Sequence, residues 1–240
     1  MDKEKLRTTL IRGCSLLKIE INSHQVEQLL KFADLIEEAN QQMNLTRITS
    51  EEDFAVKHLV DCLALQITGL DFTGRGIDVG SGAGFPGIVI ASCLTRDPII
   101  LLDSLEKRVK FLQNVADELN LDHVTCIHGR AEDAARDPDY REKFQWVTAR
   151  AVAPLPVLLE YCAPFIEVGG YFVAMKGSNV ESELEEAANA IKLLNLSIVD
   201  QREFELPFDM GGRSIITFKK ESAISEKYPR KAGIPSKKPL

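Results

Sequence analysis

The sequence predicts an α/β fold: a Rossmann-like sheet of parallel strands with a C-terminal antiparallel hairpin and an N-terminal helical extension. Short apolar runs alternate with amphipathic segments from about residue 69 onwards. A glycine-rich turn follows the first of these runs, and two extended runs near the end are joined by Gly211-Gly212. Right-handed crossovers would make the first five strands parallel and place a ligand at their carboxyl ends.

Composition excludes several classes of protein. Hydrophobic residues make up 45% and charged residues 27% of the 240, which is ordinary for a globular chain. No apolar run approaches the roughly 18 residues that cross a bilayer, and the N-terminus lacks the apolar segment of a signal peptide. The five cysteines form no CxxC pair, so we expect free thiols in a reducing compartment. We therefore expect a cytoplasmic protein without a metal site or a membrane partner.

Residues 1–68 are predicted to form a helical cap, because apolar residues recur there at helical spacing and strand signals are lacking. Ser23 is the expected N-cap of a second helix that ends near Asn40. Ser50, with an acidic residue three positions on, resembles a capping box and opens a third helix through Ile67.

His58 and Asp61 lie three residues apart on that third helix. A metal site needs more ligands than these two, and no other ligand is nearby in the sequence. The pair therefore favours a surface or interdomain hydrogen bond.

The catalytic domain is expected to span residues 69–220. Its apolar and extended runs predict seven strands, at 76–79, 99–102, 124–127, 145–149, 171–175, 196–205 and 214–218. The segments between them predict helices, of which the clearest are 88–94, 105–119, 155–165 and 180–194.

The turn after the first strand carries Gly80, Gly82, Gly84 and Gly87. Strand, glycine-rich turn and helix together let backbone N–H groups approach a nucleotide-like ligand without interference from Cβ atoms. The last three glycines fit a dinucleotide fingerprint, whereas the first three fit the loop that binds S-adenosylmethionine (SAM).

The rest of the sheet bears on this choice. Asp103 ends the second strand a little over twenty residues after the first glycine, where a carboxylate can bind ribose hydroxyls of either cofactor. A dehydrogenase would continue with a second nucleotide-binding half and a substrate domain, but here the sheet ends in a hairpin. The sequence therefore favours SAM, a class I methyltransferase sheet, and Gly80, Gly82 and Gly84 as the operative glycines.

Other candidates lie at the carboxyl ends of later strands. Ala131 and Glu132 follow the third strand and could meet an adenine edge, although Glu132 or Asp133 could instead cap the next turn. Arg150 ends the fourth strand, where a guanidinium can hold a carboxylate or phosphate. Asp78, within the first strand, could lie near a transferred methyl group or could anchor the loop or the amino group of SAM.

Charge is distributed unevenly along the chain. The net charge is −7, yet residues 213–240 hold eight basic and two acidic residues, which gives +6 there and −13 elsewhere. Residues 221–240 contain three prolines and are predicted to be a mobile or extended basic tail, either for a polyanion or for solubility. The candidates for phosphate contacts are Lys176, Arg213, Arg230, Lys231, Lys237 and Lys238. Lys176 could instead merely end its strand.

Five segments resemble one family over nearly the whole chain: IDVGSGAGFPGIVIA, LLDSLEKRVKFL, GRAED, ARAVAPL and KYPRKAGIPSKKPL. They are similar to the glucose-inhibited division protein B family, also called RsmG, of bacterial small-subunit rRNA guanine-N7 methyltransferases. The resemblance implies one guanine in the decoding-region loop of 16S rRNA as the target. It also implies SAM contacts from Gly80, Phe85, Asp103, Ala131, Glu132 and Arg150.

Guanine N7 carries an in-plane lone pair and no proton, so the reaction needs no general base. Positioning would then dominate catalysis, with Asp78 and Arg150 as candidates near the reacting atoms. We expect a monomer without a DNA partner. The sequence alone leaves open a methyltransferase for a protein or small molecule, and a non-catalytic RNA-binding factor for ribosome assembly.

Overall fold

The computed structural model describes residues 1–48, 50–178 and 180–240. Within them, seven strands form a mixed sheet in the order β3-β2-β1-β4-β5-β7-β6. The five strands β3, β2, β1, β4 and β5 run parallel to one another, and β7 is antiparallel to both of its neighbours, β5 and β6. The strands are β1 (Gly76–Val79), β2 (Ile99–Asp103), β3 (Val124–His128), β4 (Phe144–Arg150), β5 (Ile166–Gly177), β6 (Leu196–Glu205) and β7 (Gly212–Lys220). The predicted α/β class, the parallel strands and the antiparallel hairpin are confirmed.

The helices flank this sheet and precede it. They are α1 (Lys3–Leu16), α2 (Ser23–Met43), α3 (Glu51–Phe54), α4 (Asp61–Leu63), α5 (Gly87–Cys93), α6 (Glu106–Glu118), α7 (Ala131–Ala134), α8 (Leu155–Cys162), α9 (Glu181–Leu193) and α10 (Ile234–Lys237). A π-helical turn (Ala55–Val60) joins α3 to α4, and 3₁₀ turns follow α4 (Ala64–Thr68) and α8 (Ala163–Phe165). In the part of the chain that the structure describes, no helix is long and apolar enough to cross a bilayer.

The expected cap of α2 was wrong by one residue. Asn22 is the N-cap: its side chain accepts from the backbone N–H of Gln25, and the Gln25 side chain accepts from the N–H of Asn22. Ser23 is instead the first helical residue, and the helix continues to Met43 rather than ending near Asn40. The helix ends where Asn44 adopts a left-handed conformation that asparagine tolerates better than most residues.

The central strands of the sheet are buried on both faces. On one face, the N-terminal helices pack with α5 and α6 into a core that contains Leu10, Phe32, Phe85 and Leu112. On the other face, α8 and α9 pack over Val147, Phe172 and their neighbours. Burial on both faces explains why β1 and β2 are apolar on both sides rather than alternating, with Asp78 and Asp103 as their buried polar residues.

Strand β5 is longer than expected because Gly169 and Gly170 lie inside it rather than before it. Gly170 permits a close approach of backbones: a Cβ there would lie 2.7 Å from the carbonyl oxygen of Gln145. The glycine pair therefore allows β5 to pair with β4 beyond an irregularity in register between Phe144 and Trp146.

The C-terminal tail, which the sequence predicted to be mobile or extended, packs against the rest of the chain. Ile224, Tyr228 and Pro235 are buried, and the segment ends in the single turn of α10. Arg141 donates to the carbonyl of Tyr228, and the Tyr228 ring joins the core beneath α8. Prolines prevent regular hydrogen bonding, but they do not prevent a segment from packing through apolar side chains interleaved with its basic ones.

We expect Phe32→Ala to lower the free energy of unfolding by about 3–5 kcal/mol, because its ring is fully buried where α2 packs on Phe85 of the glycine-rich turn. Urea denaturation at pH 7.5 would measure this loss. Leu16→Ala, at a helical side chain that is 57% exposed, is the control and should change stability by less than about 0.5 kcal/mol. A loss below about 1 kcal/mol for Phe32→Ala would show that the helical section is not packed through this ring.

Candidate active site

A cleft of about 330 Å³ opens at the carboxyl ends of β1, β2 and β3. Val79, Leu102, Ala131 and Val152 give it apolar walls. The lining is completed by Gly80, Ser104, Leu105, Gly129, Arg130, Glu132, Tyr161, Gly233 and Ser236. The volume and the mixture of apolar faces with a few polar groups are typical of small-molecule sites. We call this space the first cleft.

Gly80 forms part of its floor. Its φ is +75°, and a Cβ there would lie 2.7 Å from a methyl group of Val152, so a side chain would be both strained and in collision. Gly82 and Gly84 also have positive φ, but Gly84 is required by packing, since its Cβ would meet Ile88 and Phe32. Of the three predicted glycines, Gly80 is the one that lines the first cleft.

Two carboxylates hold the glycine-rich turn from below. Asp78 accepts from the Gly87 N–H at 3.1 Å and from the hydroxyl of Thr148, its partner across β1 and β4, at 2.9 Å. Burial raises the pKa of Asp78 to about 6, although both hydrogen bonds act in the opposite direction. Asp78 is completely buried, and its hydrogen bond to the Gly87 N–H is a contact of the loop-anchoring kind that the sequence offered as one of its alternatives.

Asp103 is the second of these carboxylates. One of its oxygens accepts from the Gly82 N–H at 2.8 Å and the other from the Leu105 N–H at 2.9 Å. A carboxylate oxygen can accept more than one hydrogen bond, so each retains capacity for a hydroxyl. Asp103, the predicted ribose ligand, thus also holds the glycine-rich turn in place through the Gly82 N–H.

Ala131 and Glu132 line the first cleft at the start of α7. The alternative that Glu132 caps its own turn is wrong, because its Oε1 instead accepts from the backbone N–H of Gly233 at 2.9 Å. Gly233 lies 101 positions further along the chain, within residues 224–240, which we call the C-terminal segment.

A second cleft, of about 410 Å³, lies at the carboxyl ends of β4 and β5. It is lined by Ile48, Lys57, His58, Asp61, Arg150, Ala151, Met175, Lys176, Gly177, Glu183, Arg213, Ser214 and Ile215. Four of these carry a positive charge and two a negative charge, so the lining is net cationic with neutral histidine. Arg150 and Ala151 line this cleft and Val152 lines the first, so the two clefts flank the same short segment after β4.

Arg150 joins that segment to the N-terminal helices. Its guanidinium donates to the Asp61 carboxylate at 2.9 Å, to the Lys57 carbonyl at 3.0 Å and to Nδ1 of His58 at 3.1 Å. Arg213 pairs with the other Asp61 oxygen at 3.2 Å. The predicted interdomain hydrogen bond of His58 and Asp61 is therefore confirmed.

His58 must be neutral in this arrangement. A guanidinium only donates, so Nδ1 carries the lone pair, and Nε2 carries the proton toward the Thr46 hydroxyl at 2.9 Å. Burial, together with the charge of Arg150, lowers the pKa of His58 to about 3.

Phe85 lies behind the glycine-rich turn. Its ring stacks on His58 with centroids 4.4 Å apart, and the Arg150 guanidinium lies 5.1 Å from its centroid. Phe85 and Arg150 are absent from the described lining of the first cleft. The Phe85 ring packs instead with Phe32 and Phe54 of the N-terminal helices.

The predicted phosphate contacts have separate positions. Lys176 and Arg213 line the second cleft, where Lys176 also pairs with Glu183 at 2.6 Å. Arg230 makes a bidentate pair with Glu160, which is fully buried, so its guanidinium is engaged within the protein. Lys231, Lys237 and Lys238 are exposed.

Sequence reasoning missed several members of both clefts. Tyr161 and Ser236 in the first cleft, and Lys57 in the second, gave no local signal. His58 and Asp61 were noticed by their spacing, but their partner Arg150 is about 90 residues away. Across residues 1–48, 50–178 and 180–240, no group of three or more His, Cys, Asp or Glu side chains could hold a metal ion.

The sequence profile of the GidB family, described as rRNA small subunit methyltransferase G, matches residues 25–205. The chain belongs to this family. It is 46% identical over 237 residues to the ribosomal RNA small subunit methyltransferase G of Alkaliphilus oremlandii, covering 98% of this chain and 99% of that one. It is 47% identical over 224 residues to the protein of the same name from Desulfitobacterium hafniense, covering 93% of each chain.

Solved structures of other proteins share the fold of this GidB-family chain. A predicted O-methyltransferase from Agrobacterium tumefaciens aligns with 69% of this chain and 83% of its own at a TM-score of 0.55 and 16% identity. Aeropyrum pernix fibrillarin was solved with natively bound S-adenosyl-L-methionine. It aligns with 62% of this chain and 68% of its own at a TM-score of 0.50 and 14% identity. At such identities the likeness extends to the fold alone.

We expect acid to destabilise the protein through His58. Unfolded His58 takes up a proton below its ordinary pKa of 6.5, whereas the folded protein resists protonation down to about pH 3, so stability is lost as pH falls between those values. At pH 5.0 this loss amounts to about 2 kcal/mol. Urea unfolding at pH 7.5 and at pH 5.0 measures the decrease in the free energy of unfolding between the two pH values. This decrease should be smaller by that amount in His58→Gln than in the wild type.

The exposed His24 provides the matched control. His24→Gln should retain the full drop of the wild type between the two pH values. Equal drops in the wild type and His58→Gln would contradict a neutral His58 held by Arg150.

Proposed function

We propose that this chain transfers a methyl group from SAM to N7 of a single guanine in the decoding-region loop of 16S rRNA. One observation carries the proposal: the two clefts flank the segment Arg150–Val152, one with the walls of an adenosine site and the other cationic. A cofactor in the first cleft and a nucleotide in the second would meet across that segment. Membership of the GidB family supports an rRNA substrate. Such a substrate would place the protein in the cytoplasm.

The residues of the first cleft fit the adenosyl part of SAM. Gly80 leaves a floor that a Cβ would fill, and the apolar Leu102, Ala131 and Val152 suit the faces of a purine. Asp103 is buried next to the lining residues Leu102 and Ser104 rather than in the lining itself. Because both of its oxygens retain acceptor capacity, it is the proposed ribose ligand. Glu132 lines the same cleft, at the end where we place the adenine. Its carboxylate also positions the C-terminal segment by accepting from the Gly233 N–H.

When bound, SAM supplies a methyl group on a sulfonium, which passes to a nitrogen lone pair as the carbon–sulfur bond breaks and sulfur keeps the bonding electrons. Guanine N7 has no proton to lose, so the protein needs no general base there. The work of the chain is to hold the base in line, which can supply several kcal/mol of the barrier. Arg150 is a positioning residue, since Asp61, His58 and Phe85 fix it at the boundary between the clefts.

The second cleft suits a nucleotide with its phosphates. Lys176 and Arg213 present cations at the ends of adjacent strands, and the exposed Lys231, Lys237 and Lys238 extend positive charge along the C-terminal segment. A methyltransferase for a protein or a small molecule does not require a cationic cleft beside its cofactor site, and a binding factor without catalysis does not require the cofactor site.

Purified protein with labelled SAM should methylate one guanine in small subunits taken from cells that lack it. Mass mapping of the rRNA would detect one added methylguanosine, and Gly80→Val should abolish it because its side chain would fill the cofactor floor. Calorimetry should show SAM binding without NAD binding. If the label appeared only in ribosomal proteins, a protein methyltransferase would be favoured. If the protein bound the subunit but transferred no label, a non-catalytic factor would be favoured.

We expect Lys176→Gln to raise the KM for RNA several-fold while the affinity for SAM stays unchanged. The variant should also lower the slope of log affinity against log salt by about 0.7–0.9, as one lost phosphate contact does. Lys192→Gln is the matched control, since Lys192 is exposed near the far end of α9 and outside both clefts. An unchanged KM with reduced stability would show that Lys176 only closes its strand against Glu183 and the Ala153 carbonyl.

A further inference from the structure

The C-terminal segment, here residues 224–240, passes across the mouth of the first cleft. Gly233 and Ser236 belong to the cleft lining, although they follow the end of the last strand by more than ten residues.

One anchor of the segment is an ion pair beneath it. The Glu160 carboxylate is fully buried on α8 and accepts from the Arg230 guanidinium at 2.6 and 2.9 Å and from the Arg230 backbone N–H at 2.7 Å. Without Arg230 this buried carboxylate would lose these partners, which is strongly unfavourable. The pair therefore ties the segment to the helix that follows β4.

Further hydrogen bonds place the segment over the cleft itself. Gly233 donates its N–H to Glu132 at 2.9 Å, and the hydroxyls of Tyr161 and Ser236 lie 2.7 Å apart. All four residues line the first cleft, so these bonds cross its rim. Arg136 also donates to the Pro229 carbonyl, at 2.6 Å.

We propose that the C-terminal segment is a wall of the cofactor site and that its docking is coupled to cofactor binding. This proposal rests on the proposed function in that the ligand of the first cleft is SAM. A ligand that touches Gly233 and Ser236 stabilises the docked segment, and by linkage the docked segment raises the affinity for the ligand equally. The lysines on its outer side remain exposed, so a segment that would contact RNA also closes the cofactor cleft.

Limited trypsin digestion of the full-length protein tests the coupling. The exposed Lys231 lies between Arg230 and Gly233, so cleavage after it reports undocking of the segment. Saturating S-adenosylhomocysteine, whose binding calorimetry first verifies, should slow this cleavage about tenfold, corresponding to about 1.4 kcal/mol of coupling. Unchanged cleavage at a verified saturating concentration would overturn the wall, whereas absence of any binding would overturn the proposed function instead.

A substitution tests the same wall while leaving the Arg230–Glu160 and Gly233–Glu132 contacts in place. Ser236→Trp places a large ring at the cleft and should weaken S-adenosylhomocysteine binding at least tenfold, with the melting temperature retained. Ser225→Trp, at an exposed position of the same segment outside the cleft lining, is the matched control and should bind as the wild type does. Equal affinity in both variants would place the cofactor away from the C-terminal segment and overturn the proposal.

Discussion

The Asp61 carboxylate connects the parts of the structure on which the rest depends. It is only 4% exposed and pairs with Arg150 at the end of β4 and with Arg213 at the start of β7. Removing one partner from such a buried pair typically costs about 3–5 kcal/mol, because the other charge is left uncompensated. The arrangement therefore fixes the N-terminal helices to the carboxyl edge of the sheet, where both clefts open, and a neutral His58 completes it.

The glycine-rich turn is preorganised by its supports. Asp78 and Asp103 accept from backbone N–H groups at both sides of the turn, so its conformation is set before any ligand arrives. Phe85 anchors the same turn to the N-terminal helices through its stack on His58. A rigid site loses little conformational freedom on binding, which is the means by which a reaction without a general base gains rate from positioning.

The C-terminal segment shows how composition can mislead. Three prolines and a basic excess are typical of a disordered arm, yet the segment packs because Tyr228, Pro229 and Pro235 supply buried surface. Its positive charges divide by position: Arg230 turns inward to the buried Glu160, and the nearby Lys231 remains exposed. Charge counting alone could not separate these two residues.

The sequence by itself determined the strands, the glycine-rich turn and the carboxylates beside it, because strand burial and turn geometry are recorded in local spacing. GIDVGSGAG specifies a strand followed by residues that must adopt positive φ, and LLDS places Asp103 next to it in a parallel sheet. Only the tertiary structure decided that Phe85 faces the N-terminal helices, that Glu132 holds Gly233, and that Arg230 meets Glu160. Those contacts join residues 27 to 101 positions apart, and which of several chemically suitable partners meets a side chain depends on how the helices pack.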